Sequence, residues 1–535
     1  MTTGYPDFVK RVSLRCTDTL FHSLAGLALA HAAFFTLYYL HQPLIESHAF
    51  RQTQTALTSY WMLEEGWKMA YQTPVAGFPW AIPFEFPLYQ SLVAGVVALT
   101  GAPLMATGRL LSFIFLAACA WPMYGLARRL ELPRFIASIF ATLLWSAPSY
   151  VFWGRSFMIE TTALFFALAS LPFATDLIQR RADWKAVVGF LVFSTLAILQ
   201  KITTFLPVLG VLSVILVVSR IRDTGWSWLS LRGIAALGAL FSVPLLVGAA
   251  WTGFTDQLKQ MNPLGAALTG AGLSTWNLGT LEQRLNPSTW YTVVLQRSLL
   301  WNIGAGVFGG LILLAGPVIA WKRGQKKVSV LALLGMALFL LPILAFTNLH
   351  VVHDYYQMAC LAFLLAAVAV LVGGVFQGYP WQRLIAAALT GLLLVINMAV
   401  FFISYRRIAA RSVGEVSVIS QQAYAVGHFL KENTPRGSGI AVFHQDWSPE
   451  MAFHAERKAM TVPEWSALQD SVWRAPQQFL GDVPLSAIAV CPLTEAFPAQ
   501  SDIDVFLSHN PGWRLVYREG CTLLLRHPLR GDLSR

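Results

Sequence analysis

Charge is scarce in this chain. Asp, Glu, Lys and Arg make up only 12% of its 535 residues, against about 25% in an ordinary soluble domain, which excludes a water-soluble globular protein of this length. Cysteine is scarce as well, five residues in all, and no Cys/His cluster has zinc spacing. Cys119 and Cys360 lie in apolar runs and read as core packing. Cys491 and Cys521 lie near the C-terminus, where a disulfide is possible if that part is extracytoplasmic, although the spacing does not demand one. A Gly-rich phosphate loop is absent, as is any internal repeat. No cleavable signal peptide is evident: residues 1–15 are polar and basic, and no small-residue cleavage site follows the first apolar run.

What the chain does have is apolar residues, 56% of the total, delivered in blocks of about 20, the thickness of a bilayer core. The formal net charge of +11 resembles a nucleic-acid signal but is not one. From residue 405 onward there are 13 Lys/Arg and 13 Asp/Glu, so the tail is neutral. The whole excess sits in short loops of the apolar part, as the positive-inside rule expects of cytoplasmic loops.

The first span is placed at residues 20–40, preceded by Lys10, Arg11 and Arg15, so the N-terminus faces inward. Further apolar segments lie near 86–100, 110–126, 135–152, 157–177, 186–199, 205–218, 234–251, 303–320, 328–346, 358–375 and 384–402. Basic loops separate them at Arg128-Arg129 with Arg134, Arg180-Arg181 with Lys185, Arg220 with Arg222 and Arg232, and Lys322-Arg323 with Lys326-Lys327. These loops all fall inside only if one early segment does not cross. Residues 86–100 are too short, open with Pro87 and end at Gly101-Ala-Pro103, which suits a juxtamembrane helix. The result is a polytopic α-helical membrane protein of about 11 spans over residues 1–404, with a first outer loop at 41–107. A small soluble α/β domain follows at 405–535, with a helix at 421–432 and strands at 439–443, 487–490 and 521–525. Arg406, Arg407 and Arg411 strain the outside placement of that tail.

Ionisable groups at membrane depth are functional candidates by default. The first 404 residues hold 14 carboxylates. Six lie on the inner side (Asp7, Asp18, Glu131, Asp176, Asp183 and Asp223); Glu46, Glu64, Glu65, Glu85, Glu160, Asp256, Glu282 and Asp354 lie outside. Glu46, in Glu46-Ser-His48-Ala-Phe-Arg51-Gln52, is either a base for an acceptor hydroxyl or a loop carboxylate paired with Arg51. Glu64 and Glu65 read as a solvated helix end. Glu85, between Pro83 and Pro87, is either a rigidly held interfacial carboxylate or part of a turn. Arg155 and Glu160 either face a site separately or pair with other helices. Lys201 marks an outer corner, and Arg109 opens a helix at the outer face. His350, His353, Asp354, Tyr355 and Tyr356 crowd a short outer loop. The Arg and Lys side chains suit a phosphate leaving group, with His and Tyr adding donors; an aromatic interfacial belt is the plain alternative for that loop.

At these residues the chain resembles the C-fold (GT-C) glycosyltransferases, in particular the bacterial relatives of protein O-mannosyltransferases and of the lipid A aminoarabinose transferase. Glu46 matches the acid of the family's first outer loop. Glu85-Phe-Pro87-Leu88 resembles its juxtamembrane segment, and Arg109-Leu110 the Arg that opens its second span. Arg155 to Glu160 resembles the Arg-then-acid pattern at its fourth span, while Lys201 and His353-Asp354-Tyr355-Tyr356 fit further features. The likeness covers residues 20–405. It implies a multi-pass protein of the bacterial inner membrane with its site facing the periplasm or exterior. It also implies a polyprenyl-phosphate sugar donor, a hydroxyl acceptor on an envelope glycan, lipid or protein, and an inverting single displacement. Glu46 would be the catalytic base, supported by His48, Arg51 and Gln52. Arg109, Arg155, Lys201 and the His350/His353 loop would take the phosphate, with Glu85 and Glu160 on the sugar or behind the cations. The likeness fixes no cofactor. A divalent metal is possible, but the family's acid is usually Asp, often beside a second acid, whereas Ser47 follows Glu46. The competing class is a transporter or lipid flippase of an envelope pathway. It also needs spans, buried charge and basic inner loops, but commonly shows repeats and broken helices at the midplane. A non-catalytic envelope-assembly subunit is a third reading.

Overall fold

The computed structural model describes residues 7–179, 183–225, 231–405, 418–491 and 497–526. Arg180, Arg181, Arg406, Arg407 and Arg411 lie outside them. The chain forms two compact units. One takes Met1–His41, Arg109–Ala250 and Ser274–Ala409; the other takes Gln42–Gly108, Trp251–Leu273 and Ala410–Arg535.

The first unit is helical. Its labelled elements are α1 (Asp7–Tyr38), α4 (Leu104–Ala118), α5 (Ala120–Arg129), α6 (Phe135–Ser146), α7 (Pro148–Trp153), α8 (Glu160–Ile178), α9 (Trp184–Thr224) and α10 (Leu231–Gln260); α2 (Ala49–Glu65) and α3 (Leu88–Thr100) belong to the other unit, into which the ends of α4 and α10 also reach. Eight helices among the described residues are long and apolar enough to cross a bilayer. One of them, α9, spans 41 residues and carries a single non-helical residue, Lys201 (φ −164, ψ 95). It is a hairpin. Asp183, which caps its start, follows closely on the C-terminus of α8. Lys201 bonds Glu160 at the N-terminus of α8, whereas Ser219 and Arg220 donate to Ile178 and Leu177 carbonyls back at its C-terminus. Each arm is then roughly 25–34 Å long at 1.5 Å per residue, enough for one crossing. Counting both arms, and adding α6 continued by α7 and the short apolar helix Val307–Lys322, gives the eleven spanning segments the sequence implies.

The charges of this unit separate to its two ends. At the basic-loop end Arg129 pairs with Asp176 at 2.7 Å, Gln179 donates to the Arg129 carbonyl, and Arg323 donates to the Val375 carbonyl. At the opposite end lie Glu160, Lys201 and the start of the helix Gln357–Val375. Between the ends almost every side chain is apolar, because an unpaired charge there has no water to meet.

The second unit is built on a five-stranded sheet in the order β2-β1-β3-β5-β4: β1 (Gly439–Phe443), β2 (Lys458–Val462), β3 (Leu485–Val490), β4 (Trp513–Arg518) and β5 (Cys521–Arg526). β1 runs parallel to β2 and β3, and β5 antiparallel to β3 and β4. The sequence shows β1, β3 and β5 but not β2 or β4. Glu519 (φ 49) and Gly520 (φ 73) both take left-handed backbone at the β4–β5 hairpin, the geometry a two-residue turn of matching twist requires. Cys491 and Cys521, one step beyond the Val490–Thr522 pairing, form a disulfide. The loop that follows α1 completes this unit. Thr461 and Ala459 on the β2 edge donate to the carbonyls of Val75 and Pro74, covering an edge that would otherwise be open to pairing. Leu57, Val75 and Ile82 share one core with Val426, Ile440 and Leu523. Asn262 ties the third stretch in, its amide donating to the carbonyls of Ala76, Gly77 and Pro79. α3, 13 residues long, also lies in this unit, in keeping with a segment that does not cross.

Candidate active site

In the second unit the site is built around the start of α2. Leu44 and Ile45 are buried beside Glu46, itself only 2% exposed. His48 takes left-handed backbone (φ 50) just before the helix. Gln52, one turn in, donates its side-chain amide to the Ser47 carbonyl at 3.1 Å, so the turn carrying Glu46 is pinned from the helix it introduces. Arg51 donates to the Glu85 carboxylate and to Gln54. The backbone under Glu85 is held three ways. The Tyr71 hydroxyl donates to the Glu85 carbonyl at 2.8 Å and accepts from the Phe84 amide at 2.7 Å, and the Trp251 indole donates to the Phe84 carbonyl at 2.9 Å. Burial, then the Glu85 charge, pushes the Tyr71 hydroxyl far above its ordinary value, so it stays a donor.

The helical unit gathers the other candidates. Lys201, at the apex of the α9 hairpin, bonds the Glu160 carboxylate at 2.5 Å, with both side chains under one-twentieth exposed. Its ammonium lies 3.7 Å from the Tyr356 ring centroid and 5.2 Å from that of Tyr355, a cation–π arrangement strengthened by desolvation. The His353 ring stacks on both tyrosines, and Asp354 opens the short 3-10 turn that carries them. His350 is buried beside this group. Burial, and then the charges of Lys201 and Arg297, push its imidazole down to about 3. It is therefore neutral near pH 7, a hydrogen-bonding group rather than a cation.

Arg155 lies over the Tyr39 ring at 4.7 Å and the Phe152 ring at 5.1 Å. Arg109, fully buried, sits on α4 close to the same segment: Ser112, one turn on, donates to the Ser156 carbonyl at 2.7 Å. A Cβ at Gly154 would lie 2.2 Å from the Tyr150 carbonyl and 2.4 Å from a Leu116 methyl, so only glycine lets the chain turn this tightly before Arg155.

In the helical unit Glu160, Lys201, His350, His353, Tyr355 and Tyr356 lie together. Glu46, His48, Gln52, Arg51 and Glu85 belong to the other unit. Glu160 has Lys201 as its ion-pair partner, the helix-to-helix alternative, and Arg51 pairs with Glu85. Glu65 is structural, bonded to Lys458, Gln72 and Lys68. Three residues were missed. Arg297 donates to the His350 and Val351 carbonyls at 2.9 Å from a π-helical stretch, Tyr291–Leu300, where it is the only charge in an apolar run. Lys259, 4% exposed, holds its ammonium 4.5 Å from the Phe84 ring. Trp447, just beyond β1, packs against the Phe50 and Phe84 rings at 4.7 and 5.6 Å; no local pattern marks it.

Among the described residues no three His, Cys, Asp or Glu side chains gather as a metal cradle, and Glu46 has no neighbouring acid in sequence.

No protein-family profile matches the sequence, and no curated protein matches it either. Solved structures do match. ArnT from Cupriavidus metallidurans bound to undecaprenyl phosphate superposes with a TM-score of 0.59 at 14% identity, over 95% of this chain and 98% of that one. The oligosaccharyltransferase AglB from Archaeoglobus fulgidus, in complex with an inhibitory peptide and a dolichol-phosphate, gives 0.52 at 11% identity, over 88% and 69%. An oligosaccharyltransferase from the same organism is also seen with Zn and sulfate. The arabinofuranosyltransferase AftD from Mycobacteria gives 0.50 at 15% identity, over 95% of this chain and 40% of its own. The chain has the GT-C fold of these membrane glycosyltransferases. Its likeness to ArnT runs nearly the full length of both chains.

Proposed function

We propose that this protein is an inverting glycosyltransferase that moves a sugar from a polyprenyl-phosphate donor to an acceptor hydroxyl at the outer face of the membrane. One observation carries the reading. A buried lysine at the apex of a helix hairpin is held ready by Glu160 and Tyr356, with neutral His350 beside it. A cation held in a fixed, water-poor position stabilises charge developing on a phosphate more strongly than one in water. The undecaprenyl phosphate and dolichol-phosphate bound by the ArnT and AglB structures support the donor class. The Cys491–Cys521 disulfide supports an oxidising compartment for the tail, hence the periplasm or cell exterior of a bacterium. It favours that placement despite the arginines that precede the tail.

In the proposed step the acceptor oxygen attacks the anomeric carbon from the face opposite the phosphate. Its proton passes to the Glu46 carboxylate. The bond from the anomeric carbon to the phosphate oxygen breaks, and its electron pair leaves with the lipid phosphate, whose added charge Lys201, Arg109 and Arg155 take up. His350, Tyr355 and Tyr356 supply hydrogen bonds. Arg51 and Glu85 brace the first loop on the acceptor side, and no step runs through a metal. The acceptor is an envelope glycan, lipid or protein hydroxyl.

Glu46→Gln tests the assignment in proteoliposomes supplied with polyprenyl-phosphate sugars. Release of lipid phosphate should fall about 100-fold or more, with retention of the bare lipid phosphate unchanged. Full activity in that variant removes Glu46 from the base role. Movement of the lipid across the bilayer without cleavage would make the protein a flippase instead.

A further inference from the structure

The helical unit contains a second feature that glycosyl transfer does not use, an apolar cavity of about 240 Å³ in its basic-loop half. Leu171, Thr175 and Ile178 of α8, Leu212 and Ile215 of α9 and Phe363 of the helix Gln357–Val375 are among its walls. Thr175 turns its hydroxyl to its own helix, donating to the Leu171 carbonyl, so the wall it presents is nearly all hydrocarbon. A cavity this size with such walls holds no water, and inside a bilayer the material at hand to fill it is hydrocarbon chain.

Its depth indicates whose chain. From Leu171 to Gln179 the lining rises along α8 by roughly 12 Å, and Leu171 lies about 16 Å along the helix axis from Glu160. One leaflet of hydrocarbon is about 15 Å deep. Along α8 the cavity therefore begins about where the leaflet nearest Glu160 and Lys201 ends, and most of it occupies the depth of the other leaflet; Phe363, about 9 Å from the start of its own helix, closes it toward the first. One end of it adjoins the basic loop. Leu126, Ala127 and Leu130 line it, and the neighbouring Arg128 and Arg134 are exposed where an anionic headgroup sits. Arg129 is engaged with Asp176.

We propose that this cavity is a binding site for one acyl chain of an anionic phospholipid of the inner leaflet, its headgroup held by Arg128 and Arg134, distinct from the donor lipid. The inference uses the inward orientation of the basic loops but not the catalytic reading. Its test is separable from that reading because it measures lipid retention, not transfer.

Protein purified from membranes and reconstituted in phosphatidylcholine vesicles containing phosphatidylglycerol is exposed to a phosphatidylglycerol with a photoreactive group at the chain terminus. Cross-links should map to residues 123–140, 171–179 or 363–370, and excess undecaprenyl phosphate should not compete them away. Native mass spectrometry of the intact protein should show one retained phosphatidylglycerol. Ala366→Phe, which fills the cavity, should lower its occupancy at least fivefold, and Arg128→Gln should erase the preference over phosphatidylcholine. Polyprenyl-phosphate retention should be unchanged in both variants. Cross-links confined to the outer perimeter of the helices, or competition by undecaprenyl phosphate, would overturn the proposal. The first would leave the cavity without a lipid, and the second would give it to the donor's tail.

Discussion

Lys201 and Glu160 in the helical unit, and Glu450 and His454 in the sheet-bearing unit, are all nearly inaccessible to solvent, yet they are buried on different terms. The first two face each other at 2.5 Å with an aromatic ring beneath the ammonium. The other two lie on one short helix, Glu450–Ala455, and burial drives each toward its neutral form. The carboxyl of Glu450 is pushed up to about 7, and the imidazole of His454 down to about 3 by burial and then by His428. A buried group that becomes neutral is a packing element. A buried ion pair kept at the end of a membrane bundle is costly to maintain, and its retention calls for a use. The difference marks where chemistry is to be sought.

The largest expected effect would break this comparison. Glu160→Gln or Lys201→Met alone leaves one buried charge without its partner. Each should destabilise the protein by about 3–5 kcal/mol in thermal unfolding in detergent, and each should lower transfer by about 100-fold. The double variant Glu160→Leu/Lys201→Met should recover most of the stability and none of the activity. If it recovers both, the pair is scaffold and the contrast with Glu450 disappears.

Next in size is the disulfide. Replacing Cys491 and Cys521, 30 residues apart, with serine should cost the sheet-bearing unit about 3–4 kcal/mol. Limited proteolysis should report this as cleavage near the β3–β5 pairing with the helical spans still protected.

The smallest effect sharpens the comparison through pH. Glu450 has a folded value near 7 against an ordinary 4.5. Its contribution is therefore complete below pH 4.5 and is lost as pH rises through 7, a total of about 3 kcal/mol. His454 has the opposite sign: complete above about 6.5, lost as pH falls toward 3. Glu450→Gln should abolish the decline in unfolding temperature of the sheet-bearing unit between pH 5 and 8 and leave its acid-side decline intact. An unchanged alkaline decline would mean that Glu450 is ionised when buried, as in a charged pair.

What the sequence made legible follows from the cost of charge in hydrocarbon. The spans, the non-crossing segment at Leu88–Thr100 and the apex at Lys201 all show as interruptions of apolar runs, and an apex residue with no flanking loop is still conspicuous when it is a lysine. The pairing of Glu160 with Lys201 was not legible, because 41 residues separate them and no helical spacing links two different helices. Nothing in the sequence marks Arg297, because it lies in a stretch between apolar segments and the π-helical turn that carries it leaves no periodic signature. β2 and β4 were missed for different reasons. β2 opens with Lys458 and is buried throughout, whereas β4, Trp513–Arg518, follows no clean alternation and is half exposed. Trp447 and the first-loop rings it meets are joined only by tertiary packing.

The shared core of the sheet-bearing unit bears on how the protein is made. Leu57, Val75 and Ile82 leave the ribosome early, but Val426, Ile440 and Leu523, against which they close, come some 340–470 residues later. At a synthesis rate of roughly 5–20 residues per second, the loop that follows α1 waits on the order of 20–90 s before its hydrophobic face has anything to bury against. During that interval it is a client for whatever guards unfinished chains on that side of the membrane, and a truncation near the C-terminus would leave it one permanently.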